Sequence, residues 1–170
     1  MSFTPIRSAP TDLVSVAAQE ERLIFPSFTA QIAFDLGCLI RTRLQAASPK
    51  PAVVNITLAN SNQLLFHAAT GSGTQADNDQ WVARKRAAVL RWGSSTYALH
   101  LKFNGNEALF ASKSQLGPRA GEYAIHGGGM PVKVRGVEGV VGVIVVSGLT
   151  MQEDHEVIVE VVEEYLKKLQ

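Results

Sequence analysis

Cysteine is almost missing from this chain of 170 residues: Cys38 stands alone, which excludes an intrachain disulfide and any cysteine-rich metal cluster. It lies among Leu36, Leu39 and Ile40, the setting of a buried, unreactive thiol. A Cys-x-x-Cys-His haem-attachment sequence is absent too. So is any excess of one charge. Sixteen basic against fifteen acidic residues leave a formal net charge of +1, and nothing in that balance points to a nucleic acid or an anionic membrane. No apolar run approaches the roughly 18 residues of a membrane span, and the opening MSFTPIRSAP lacks the apolar core of a signal peptide. These absences lead us to expect a cytoplasmic protein with no nucleic-acid partner and no membrane insertion. Internal repeats, an evident linker and a complete catalytic motif are missing as well.

What is present suits one globular domain with a proper core, since 46% of the residues are hydrophobic and 18% charged. We expect a loose arm at 1–10 and a single domain at 11–170. The stretch from His126 to His155 organises the rest. Gly127, Gly128 and Gly129 either expose successive amide groups as a small anion-holding concavity or simply form a tight loop. Pro131 fits the first position of a strand, where Val132 and Val134 alternate with Lys133 and Arg135. Gly136–Gly139 reads as a turn, and Val140–Val146 is apolar on both faces, a central strand covered by helices or by a partner subunit. Gly142 within it suggests close packing from above the sheet. Thr150 and Glu153 have the spacing of a capping box, opening an amphipathic helix whose first turn holds Asp154 and His155.

Earlier in the chain, Thr11-Asp12 caps a short helix from about Leu13 to Glu20, and Leu23–Phe25 is a short strand. Thr29 caps a helix with the stripe Ile32, Leu36, Leu39, Ile40 and Leu44. Val53–Leu58 and Leu64–Ala68 form a hairpin around Asn60-Ser61-Asn62, with His67 an ordinary sheet residue. Asp77 caps the next helix, on which Trp81, Ala88, Val89 and Trp92 share a face while Arg84, Lys85, Arg86 and Arg91 spread around it. Gly93 ends that helix, and Ser94-Ser95-Thr96 starts a short one through Lys102. From Asn104-Gly105 to Ile125 no periodicity persists, so a long loop or lid is expected.

Taken together, Pro26-Ser27-Phe28, Asp77 to Trp81, Arg84-Lys85, Ser94-Ser95, Tyr123 to Pro131, Gly139 to Leu149 and Asp154-His155 resemble a small protein family of uncharacterised function. That family is related to the haem-degrading, haem-binding domain superfamily, and the similarity runs from about residue 13 to the end. The resemblance implies a profilin-like three-layer α/β/α domain, an antiparallel sheet of about five strands flanked by helices, usually in homo-oligomers. It also implies haem as a cofactor to consider, and for a fungal member of the closer family a link to tail-anchored-protein insertion. Three functions follow as expectations. The first is a small-molecule or haem-binding protein, with His126 or His155 as axial ligand, Gly127–Gly129 holding a carboxylate or phosphate, and Arg84 and Lys85 available to a small anionic ligand. The second is a non-catalytic homo-oligomeric adaptor. The third is a general acid/base enzyme using His126, Asp154 and His155.

Overall fold

The structure, a computed structural model, describes residues 3–169. Short β-rich runs bounded by turns become the five strands of one sheet: β1 (Ile24–Phe25), β2 (Val53–Leu58), β3 (Leu64–Ala69), β4 (Gly129–Val134) and β5 (Gly142–Ser147). Their spatial order is β1-β4-β5-β2-β3. The four longer strands pair antiparallel, as expected, whereas the two-residue β1 runs parallel to β4. Pro131 is the third residue of β4, and it is tolerated because β1 pairs only with Lys133 and Val134 and needs no donor farther back.

Six helices surround the sheet: α1 (Leu13–Arg22), α2 (Ala30–Ala47), α3 (Ala76–Trp92), α4 (Thr96–Lys102), α5 (Glu107–Lys113) and α6 (Met151–Lys167). The alternation along β2 and β5 sorts their side chains between two layers. Val54, Ile56, Ile144 and Val146 pack into the larger core with α2 and α6. Val53, Val143 and Val145 pack on the other side against Val82 and Val89 of α3. This is a three-layer α/β/α arrangement of profilin-like form. Its own helices cover both faces of β5, so the apolar character of that strand needs no partner subunit to explain it. A Cβ at Gly142 would lie 3.1 Å from the Phe28 ring and 3.0 Å from the Thr57 carbonyl, the close approach the sequence suggests.

Local capping chemistry sets most helix starts. The Asp12 side chain accepts from Ser15 N at 2.9 Å, Thr29 from Ile32 N at 3.3 Å, and Thr150 and Glu153 form the reciprocal box at the start of α6. The start of α3 differs from expectation. Asn78 Oδ1 accepts from Gln75 N at 2.8 Å and the helix opens at Ala76, while Asp77 takes the Trp81 indole N–H at 3.1 Å. Leu39 also departs from its expected stripe and is partly exposed; Ala33 and Gly37 line the buried face of α2 instead, and Cys38 is half-buried.

Two further differences have physical causes. The segment expected as a long loop holds α5 and a 3-10 helix at Gly117–Glu122. Asn106 caps α5 by accepting from Leu109 N, and Phe110 and Leu116 bury against Ala88, Leu99 and Ile125. Seven residues are too few to display helical periodicity in a sequence. Residues 3–10 form no regular element, yet they are not loose. Thr4 N donates to Ala46 O, Arg43 reaches the carbonyls of Thr4 and Pro5, and Arg7 bonds Glu156, Glu160 and Glu163 along α6.

Candidate functional site

A cleft of about 290 Å³ opens between the first turns of α3 and α6. Its floor is an ion pair that bridges those helices. Lys85 and Asp154 are 3% and 2% exposed, so neither charge is relieved by water. Lys85 Nζ donates to Asp154 Oδ2 at 3.2 Å and to the Val146 carbonyl at 2.9 Å, while Asp154 accepts from Gly148 N and Leu149 N. Burial pulls the Lys85 ammonium down and pushes the Asp154 carboxyl up, and their attraction opposes both shifts. The pair therefore staples α3 to the turn between β5 and α6.

The glycine run is packed against this staple. A Cβ at Gly127 would lie 2.1 Å from the Met151 carbonyl, and one at Gly128 would lie 2.3 Å from the Val146 carbonyl and 2.7 Å from Lys85 Nζ. Gly128 also holds φ at +116°, a conformation side chains resist. The Gly129 amide donates to Thr96 Oγ1 at 2.9 Å. All three residues are buried, so the geometry is that of a tight loop against α6 and not an open cradle of amides.

His126 immediately precedes that loop and lines the cleft. Its ring stands edge-on to Trp81, with centroids 4.9 Å apart, and Nδ1 lies 3.5 Å from Glu107 Oε1. Nδ1 is buried without a hydrogen bond, whereas Nε2 is left accessible with no hydrogen-bond partner among the described residues. Burial lowers the pKa of His126, Lys85, His100 and Arg84 add to that, and Glu107 opposes it. The imidazole is accordingly neutral near neutral pH, its ligand-competent form.

The other expected site residues lie elsewhere. Arg84 holds its guanidinium 4.6 Å over the Trp81 ring and donates to the Tyr123 carbonyl, so it fixes the segment leading into His126 and does not line the cleft. His155 is fully buried on another face of α6, outside the cleft, where Nε2 meets Gln19 Oε1 at 3.1 Å and the ring packs on Tyr97. Gln19 donates its amide N–H to Glu156, which fixes its oxygen toward His155 and places the imidazole proton on Nε2. Desolvation lowers the His155 pKa to about 4. The grouping of His126, Asp154 and His155 is thus split: two of them line the cleft and His155 does not.

Sequence reasoning passed over Trp81, Asn78, Ser147 and Met151 as site residues, although all four line the cleft. Asp77 and Trp81, four residues apart at a helix start, were the one signal available for this wall.

A model described as haem degrading protein HbpS-like matches residues 28–163. The chain belongs to the HbpS-like family. This HbpS-like chain is 43% identical over 166 residues to a UPF0303 protein of Streptomyces coelicolor, covering 98% of this chain and 99% of that one. It is also similar to a UPF0303 protein of Brucella anthropi, 37% identical, covering 91% and 87% of the two chains. Among solved structures, that of the Ybr137w protein superposes with a TM-score of 0.84 at 30% identity, covering 96% of this chain and 92% of that one. A double mutant of Streptomyces reticuli HbpS gives a TM-score of 0.61 at 19% identity over 82% and 86% of the chains, a likeness of fold alone.

Proposed function

We propose that this HbpS-like chain binds a small polar molecule in the cleft between α3 and α6, with neutral His126 contacting it through Nε2. The observation that carries this reading is the accessible, unpartnered Nε2 of a histidine whose ring is fixed by Trp81 beside a buried ion pair. Asn78, Ser147 and Gln75 supply further hydrogen-bonding groups on the same wall. Native mass spectrometry of freshly purified protein tests it: a retained small molecule that His126→Ala loses supports the reading, and identical spectra for both proteins overturn it.

Haem is the ligand named in the family's description, and His126 is the histidine that lines the cleft. The cleft does not enclose a porphyrin, because its volume sits just below the roughly 300 to 1,000 Å³ of drug-sized pockets and its walls are polar. Any haem binding should therefore be modest. Haemin titration should give a Soret shift that His126→Ala loses and His67→Ala keeps, since His67 Nδ1 is already bonded to Asn55 and its Nε2 lies 3.4 Å from Asp79. A shift unchanged in His126→Ala removes that ligand assignment.

A homo-oligomeric scaffold is the second reading, and the sheet edge supports it. β3 is an outer strand with one edge unpaired, and it carries Leu64 at 58% exposure; the neighbouring α2 shows Phe34 at 53%. Light scattering should report an oligomer that Leu64→Lys weakens, and a monomer at micromolar concentration would remove this reading.

A further inference from the structure

The floor of the cleft between α3 and α6 holds a nucleophile that ligand contact through His126 leaves unused. Lys85 is the cation among the residues lining the cleft, and two of its three N–H donors are engaged, by Asp154 Oδ2 and the Val146 carbonyl. The third has no hydrogen-bond partner among the described residues. Only glycine at 128 leaves space for Nζ, since a Cβ there would lie 2.7 Å from it.

A lysine in this position differs from those on the surface. Lys50, Lys113, Lys167 and Lys168 are exposed, where water sustains the ammonium form. Burial works against the Lys85 ammonium and the Asp154 carboxylate at once. It therefore draws their two pKa values toward each other and eases passage of a proton between them across 3.2 Å. That passage leaves a neutral amine, the nucleophilic form of lysine, beside the acid that holds its proton.

We propose that Lys85 captures a small hydroxylated aldehyde in the cleft as a reversible imine. Such capture rests on the cleft binding a small molecule, as proposed above. Asp154 takes a proton from the ammonium, Nζ adds to the carbonyl carbon, and a proton passes from the adding nitrogen to the carbonyl oxygen, which becomes a hydroxyl. Asp154 then returns its proton to that hydroxyl, the C–O bond breaks, and water leaves. The product is a protonated imine paired with the Asp154 carboxylate, which restores the charge balance of the resting pair. Gln75, Asn78 and Ser147 offer hydrogen bonds to the hydroxyl groups of such a substrate, and the Asp77 carboxylate on the same wall disfavours an acidic one.

Glycolaldehyde with cyanoborohydride, which reduces an imine to a stable secondary amine, tests this on the native full-length protein. Peptide mass mapping should find the adduct at Lys85 about tenfold ahead of Lys50 and Lys113, and unfolding in urea should abolish that lead. The lead should be larger than with propanal, an aldehyde without the hydroxyl. Lys85→Arg keeps a cation for Asp154 and should lose the fast-labelled fraction while surface labelling continues. Labelling confined to the exposed lysines, or a lead that survives unfolding, would overturn the choice of nucleophile, and an equal lead with propanal would overturn the substrate class. If Lys85 stays unlabelled while the protein retains a His126-dependent molecule, the imine alone fails and the cleft remains a binding site. Labelling of Lys85 without a retained molecule removes only the retained ligand and supports the imine.

Discussion

His155 offers the clearest quantitative test of the structure. A free histidine titrates near 6.5 and this one near 4, because its ring is desolvated between α6, Gln19 and Tyr97. The folded pKa lies below the unfolded one, so between these values the unfolded chain takes up a proton that the folded chain refuses. Stability must therefore fall as pH drops through that window, and it is fully retained above 6.5. The full gap of two and a half units corresponds to about 3 kcal/mol near pH 4, and the part falling between about pH 7 and about pH 5 is about 2 kcal/mol. Urea unfolding followed by tryptophan fluorescence, with a constant m-value as the check on two-state behaviour, measures this directly. His155→Gln keeps a donor for Gln19 Oε1 and removes the titration. Whatever its stability at neutral pH, its loss on acidification should be smaller than that of the parent by about 2 kcal/mol. His126, whose pKa is also lowered, contributes equally to both proteins and cancels in the comparison. An acid dependence in His155→Gln equal to the parent's would show that His155 is not held neutral by burial.

Other perturbations probe the packing beneath the cleft. Gly128→Ala forces a Cβ against the Val146 carbonyl and Lys85 Nζ at a positive φ, so it should cost about 3 kcal/mol or more, read as a lower urea midpoint. Lys85→Met leaves Asp154 buried without its cation and should cost about 3 to 5 kcal/mol, with the loss partly relieved at low pH where Asp154 is protonated. Arg7→Ala should cost about 1 to 2 kcal/mol, less than a fully buried pair because Arg7 is itself 45% exposed, and should speed proteolysis of residues 3–10.

The features legible in the sequence are those whose cause is local. Alternation along Val132–Arg135, the doubly apolar β5, the Thr150–Glu153 box and the turn at Asn60–Asn62 each rest on neighbouring residues, and the sheet and its helices follow from them. The site was legible only in part. His126 and Asp154 are recognisable as chemistry-bearing groups beside a glycine run, and both line the cleft. Lys85, in contrast, looks like one of four cations on a helix until tertiary packing places it against a carboxylate 69 residues away. The inert character of His155 depends likewise on Gln19, 136 residues earlier. The glycines were legible as a special backbone, but the choice between open cradle and tight loop is made by Met151 and Val146 pressing on them.

The strand order has a consequence for biosynthesis. β2 and β3 emerge early and can pair with each other, but the central position beside β2 belongs to β5, and β1 has no partner until β4 appears. Until Gly142–Ser147 and then α6 leave the ribosome, the nascent chain exposes an unpaired β2 edge and the apolar faces of Val54, Ile56, Leu36 and Ile40. The sheet is thus completed only when the last quarter of the chain arrives, and fragments truncated before β5 should be ready substrates for chaperones and proteases while the finished protein is not.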